Sequence, residues 1–136
     1  MKQGNKAAFL HTLVHAESYA IDLMWDLIAR FPAPDLPREF YGDWITVASE
    51  EAKHYAVWRD RLSALGSSYG AFPAHDSLWD SASETSHDIL ARLAVVHMVH
   101  EARGLDVAHV AHARFMRENP PDSISAAILE RNVKVL

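Results

Sequence analysis

Two residues with metal-binding side chains, Glu51 and His54, interrupt an apolar pattern in segment 37–65. Positions along this segment recur in steps of four and three, the spacing that keeps side chains on one face of a helix. This face consists of Phe40, Trp44, Val47, Glu51, His54, Trp58, Arg61 and Leu65. A carboxylate and an imidazole that face a core are unfavourable unless they are paired or bound to a metal. Glu-x-x-His projecting into a helix bundle is also the unit that di-iron and di-manganese carboxylate proteins use. The pattern therefore indicates a metal site.

Two further helical segments each turn a carboxylate inward. The first has Glu17 as the charged residue in a face of Leu10, Leu13, Ala20, Met24, Leu27 and Phe31. The third has Glu101 on its inward face, with His97 one turn earlier as an additional ligand, a neighbouring partner or a structural histidine that is hydrogen-bonded within the core. Glu17, Glu51, His54 and Glu101 are thus the predicted metal ligands. Two alternatives stay open: Glu17 lies at the rim of an interface, or Arg92 and Arg103 neutralise the carboxylates without a metal.

Other histidines are weaker candidates for metal binding. His11 and His15 are four residues apart but lie beside the inward face of the first helix. We expect them at the surface or next to the ligands rather than on the metal. His109 and His112 are expected on the solvated side of a later helix.

The composition limits the classes of protein that fit. The chain has 136 residues, 49% hydrophobic and 23% charged, which suits one domain with its own core. A net charge of −5 argues against direct DNA binding, and the absence of cysteine leaves histidine and carboxylates as the metal ligands. No apolar run approaches a membrane span and the N-terminus lacks a signal-peptide core, so the expected location is the cytoplasm or an organelle interior.

Helical periodicity and breakers predict an all-α protein with a single domain over 1–136. The expected helices cover residues 6–31, 37–65, 77–103, 105–118 and 123–132. Pro32-Ala33-Pro34 ends the first helix, Gly66 stops the second, and Gly104 divides the third from the fourth.

Taken in order, several short motifs resemble an uncharacterised bacterial ferritin-like family, domain of unknown function 455. These motifs are His15-Ala16-Glu17, Pro37-Arg38-Glu39-Phe40-Tyr41, Glu50-Glu51-Ala52-Lys53-His54, Leu65-Gly66-Ser67 and Glu101-Ala102-Arg103-Gly104. The resemblance implies a ferritin-like antiparallel helical bundle that holds a di-iron or similar di-metal centre. It implies Glu17 as the terminal carboxylate, Glu51 and His54 as bridging carboxylate and imidazole, and Glu101 as the carboxylate of the third helix.

The family pattern places a second Glu-x-x-His on a fourth helix, shortly after a stretch similar to Ala126-Ala127-Ile128-Leu129-Glu130. Here Arg131-Asn132-Val133-Lys134-Val135-Leu136 follows instead, so the last helix is expected to be shortened or missing. The site would then hold iron, manganese or zinc, with two ions if a partner chain completes it.

Three functions stay open. The first is a metal-binding protein related to di-iron oxidoreductases and hydroxylases, as a homo-oligomer or a subunit of a larger complex. The second is a catalytically inactive structural or interaction subunit. The third is a metal-dependent hydrolase or a metal-storage protein.

Overall fold

The computed structural model describes residues 3–31, 33 and 35–135 and confirms the prediction of an all-α protein. Five helices form the fold, and the described ranges contain no strand. They are α1 (Gln3–Arg30), α2 (Arg38–Ala64), α3 (Ser77–Glu84), α4 (residues 89–116) and α5 (Ser123–Val135). Pro32 and Pro34 of the predicted breaker lie outside the described residues. None of the helices in these ranges is long and apolar enough to cross a membrane.

Helices α1 and α2 form an antiparallel hairpin that carries most of the core. Near one end Leu10 and Val14 of α1 pack with Trp58 and Leu62 of α2, and all four side chains are buried. Burial of large apolar side chains such as Trp58 is the main stabilising contribution to a core of this size. Helical spacing also turns Glu17 of α1 and Glu51 and His54 of α2 toward the facing helix. These three polar residues lie near the middle of their helices.

Gly66 ends α2 as the sequence predicts. Its φ is 79°, the left-handed region that favours glycine, and its N–H bonds the carbonyl of Ser63 at 2.9 Å. The loop that follows folds back over α1, where Tyr69 and Phe72 pack against the core.

The helix predicted over 77–103 is two helices in the structure. Helix α3 ends at Glu84, where the hydroxyl of Thr85 bonds the carbonyls of Ser81 and Ala82. Asp88 then begins α4, because its carboxylate accepts the N–H of Ala91 at 3.0 Å. The chain therefore breaks through local side-chain capping, with neither glycine nor proline at the turn.

The predicted break at Gly104 is also wrong, because α4 continues through it. Helical segments Ile89–Arg92, Leu93–His100 and Glu101–Met116 follow one another without a non-helical residue. Glycine within a helix costs about 1 kcal/mol relative to alanine, which flanking turns can offset. The middle segment, Leu93–His100, is a π-helix, a wider form found frequently at functional sites.

Candidate metal centre

The carboxylates of Glu17 and Glu51 and the imidazole of His54 meet between α1 and α2. One ligand atom from each lies within 4.8 Å of the others. His54 Nδ1 is 3.3 Å from Glu51 Oε2 and 3.9 Å from Glu17 Oε2. Glu51 and His54 are 5% and 6% exposed, whereas the Glu17 side chain is 19% exposed. We call these three residues the cluster.

Helix geometry accounts for this meeting. Glu51 and His54 are three residues apart on α2, so both side chains leave the same face of that helix. Glu17 lies on the facing side of α1, between the buried Val14 and the buried Leu23. The antiparallel pairing of α1 and α2 brings the two sides together at this level.

The electrostatics of the cluster resemble those of two carboxylates that share one proton. Burial, a hydrogen bond with Glu51 and the charges of Glu51 and Glu101 raise the pKa of Glu17 to about 9. Burial alone would raise the pKa of Glu51 too, but hydrogen bonds from His54 and Glu17 hold it below its usual value. At neutral pH the pair therefore holds one proton and one negative charge between its two carboxylates.

The structure places the other two predicted ligands beside the cluster but not within it. Glu101 and His97, both on α4, line the same cavity of about 280 Å³ as the cluster. Burial and the charge of Glu51 raise the pKa of Glu101. Its carboxylate is not among the atoms that lie within 4.8 Å of one another. The cluster thus unites three of the predicted residues, and the ligand role of each stays a prediction.

The two arginines considered as neutralising partners lie elsewhere. Arg92 is fully buried and bonds Asp26 of α1, the hydroxyl of Thr85 and the carbonyl of Ala82. Arg103 is exposed on α4. Neither arginine supplies the positive charge that the cluster would need in order to be a self-contained ion pair.

His11 and His15 are expected at the surface or next to the ligands, and the structure excludes the first alternative because both side chains are buried. His15 Nδ1 lies 2.9 Å from the Tyr69 hydroxyl, and His15 Nε2 lies 2.9 Å from the carbonyl of His75. His11 Nε2 accepts the N–H of Gly70 at 3.0 Å. Both imidazoles therefore hold the 65–76 loop on α1. Their four-residue spacing indicated a shared face, but only the tertiary fold shows what covers it.

The fold and the site together define the class of this protein: it is all-helical and contains a buried cluster of carboxylates and a histidine. The profile of one family, described as "Protein of unknown function (DUF455)", matches residues 1–134, and the chain belongs to this family. An uncharacterized protein of Haemophilus influenzae (strain Rd) is 44% identical over 109 residues. That match covers 76% of this chain and 38% of the relative, so the chain spans well under half of that protein. No solved structure matches.

Proposed function

We propose that the chain binds a divalent metal ion through Glu17, Glu51 and His54. The observation that carries the proposal is the convergence of three ligand atoms within 4.8 Å in a buried setting. Two buried carboxylates that face each other repel when both are ionised, and a cation relieves that repulsion. Burial first, and then the neighbouring Glu51 and Glu101, raise the pKa of Glu17 to about 9, so that a proton is held where a cation would bind.

The donor set fits iron, manganese or zinc. Carboxylate oxygen and imidazole nitrogen bind all three ions, and three protein ligands leave coordination positions for water or substrate. An iron ion bound there would supply redox chemistry. The chain's own residues would fix its position, since Glu51 and His54 come from one rigid helix face and Glu17 from the facing helix.

The wider proposal is a ferritin-like protein related to di-iron oxidoreductases and hydroxylases, whose second ion would need ligands from a partner chain. Supporting it are the Glu-x-x-His unit on α2, the single carboxylates on α1 and α4, and the location of Glu101 on the same cavity. Homo-oligomerisation or incorporation into a larger complex would provide those ligands.

A structural or interaction role without metal is the second candidate, and the surface of α4 favours it. Val95, Val99, Val107 and Val110 are between 39% and 58% exposed on this helix. Several exposed apolar side chains on one helix suit a surface that another chain covers.

Elemental analysis of protein purified without chelator or nickel separates the two candidates. We expect about one equivalent of iron, manganese or zinc per chain in the parent and none in Glu51→Ala or His54→Ala. Glu50→Ala is the matched control, since Glu50 is the sequence neighbour that pairs with Lys53 on the outer side of α2. Absence of metal from the parent, or equal loss in Glu50→Ala, would contradict metal binding at the cluster.

A further inference from the structure

A second cavity, of about 250 Å³, lies beside the cluster between α1, α2 and α4. Its apolar wall consists of Met24, Trp44, Val47 and Leu105. Glu51, His97 and Glu101 complete the wall, and all three also line the cavity of the cluster. We call this second space the Trp44 cavity. Whatever occupies it lies against a residue of the cluster.

His97 is the unusual group in this wall. It is only 9% exposed, and neither ring nitrogen has a hydrogen-bond partner among the described residues. Buried polar side chains are nearly always hydrogen-bonded, and an unpaired one is destabilising by about 1–3 kcal/mol. Burial and the nearby Arg92 lower the pKa of His97 to about 4, so its imidazole is neutral at physiological pH. A neutral imidazole offers one donor and one acceptor.

Trp44 supplies the second recognition element. Its ring centroid lies 4.7 Å from that of His97, with the two planes tilted by 57°. An aromatic wall next to a hydrogen-bonding imidazole suits a flat molecule with one polar group. An engineered apolar cavity of about 150 Å³ holds benzene, so a space of this size accommodates one substituted ring.

We propose that the Trp44 cavity binds a small, uncharged aromatic molecule that carries a single hydroxyl or N–H group. The ring packs against Trp44 and Met24, and the polar group bonds His97. The π-helical segment Leu93–His100 carries His97 at this position. Binding of this molecule does not require the proposed metal site. The inference rests on that site only for its consequence: since Glu51 lines the Trp44 cavity and belongs to the cluster, an ion bound at the cluster could act on the molecule.

Calorimetric titration of the metal-free protein with phenol and with toluene tests the cavity separately from the metal. We expect the parent to bind phenol about tenfold more tightly than toluene, the size of one net hydrogen bond. His97→Phe keeps a ring of similar size but removes the bond, and should reduce phenol affinity to that of toluene. His109→Phe, on an exposed part of α4, should keep the preference.

Equal affinity of the parent for the two probes, or binding of neither, would overturn the proposal, as would a preference for phenol that survives in His97→Phe. A shift of the His97 ring ¹⁵N signals of the parent on phenol addition tests the contact without any variant, and unchanged signals would contradict it. Phenol binding by a protein that takes up no metal would refute the proposed function alone. Metal uptake without phenol binding would refute the cavity alone.

Discussion

Two groups of buried carboxylates in this molecule have opposite electrostatics. At the junction of α4 and α5, Asp122 is paired with Lys6 and Arg61 at 3.1 and 2.9 Å, and its side chain is 2% exposed. Burial alone would raise the pKa of Asp122, but hydrogen bonds from Ser125, Arg61 and Lys6 lower it to about 2. In the cluster, burial and neighbouring carboxylates instead raise the pKa of Glu17 to about 9.

The difference lies in where the positive charge comes from. Lys6 and Arg61 are built into the fold beside Asp122, so that ion-pair group is satisfied by the chain itself. Around Glu17 and Glu51 the adjacent basic group is His54, itself a metal ligand by type. Among the side chains that the structure describes, no lysine or arginine lies beside this buried carboxylate pair, an arrangement that a bound cation would stabilise.

The largest expected effect on stability is at Asp122, whose ion-pair partners are part of the chain. Asp122→Ala should lower the free energy of unfolding by about 3–5 kcal/mol, since it takes away the carboxylate that pairs with Arg61, leaves Lys6 with Glu118 alone and removes the cap of α5. Urea unfolding measures this loss. Asp60→Ala, whose partner Arg59 is on the surface, is the control and should change stability by less than about 0.5 kcal/mol. A similar small loss of stability for both variants would contradict the view that Lys6 and Arg61 compensate the buried charge of Asp122.

A smaller effect is expected at the cluster, in a pH series on the metal-free protein. There the free energy of unfolding should fall as pH rises, whereas the contribution of Asp122 is lost as pH falls. Glu17 keeps its proton in the folded state up to about pH 9, while the unfolded chain releases it near 4.5. The folded state therefore binds more protons between these values, and the stabilising contribution falls as pH rises through them. We expect the parent to lose about 2–4 kcal/mol between pH 5 and 8 relative to Glu17→Gln.

The comparison with Glu17→Gln is needed because the ionisation of His97 changes stability with pH in the opposite direction to that of Glu17. Its pKa of about 4 in the folded state lies below the ordinary 6.5, so its contribution is lost as pH falls below 6.5. His97 is present in both proteins, and the difference between parent and Glu17→Gln isolates the cluster. A flat difference across this range would mean that Glu17 ionises normally and that the carboxylates do not repel.

The smallest effect is expected for a histidine that already has its partners. His15→Ala should cost about 1–2 kcal/mol, because it removes the bonds to Tyr69 and to the carbonyl of His75. Metal content should stay that of the parent. Loss of metal in this variant would show that the loop-anchoring histidines, and not only His54, belong to the site.

The sequence predicted the parts of this molecule that follow from one helix at a time. Spacing alone indicated that Glu17, Glu51 and His54 face inward, and the structure brings these three together. Gly66 was predicted as the end of α2 because its left-handed conformation is a local property. These features depend on helix geometry and on the allowed conformations of single residues.

The sequence failed where a distant contact or a change of helical pitch decides the structure. The break before α4 depends on Thr85 and Asp88 capping, in a stretch whose periodicity reads as continuous. Arg92 pairs with Asp26, which lies 66 residues away. No glycine or proline marks the π-helical segment. Since a π-helix departs from the α-helical period, that period could not predict that His97 lies beside Trp44.

Titration of the metal-free protein with Mn²⁺ at pH 7, in two buffers of different ionisation enthalpy, tests the central claim most directly. If a cation replaces the proton shared by Glu17 and Glu51, about one ion should bind per chain with release of about one proton. Glu50→Ala should give the same result as the parent. An absence of binding, or binding without proton release, would contradict the account.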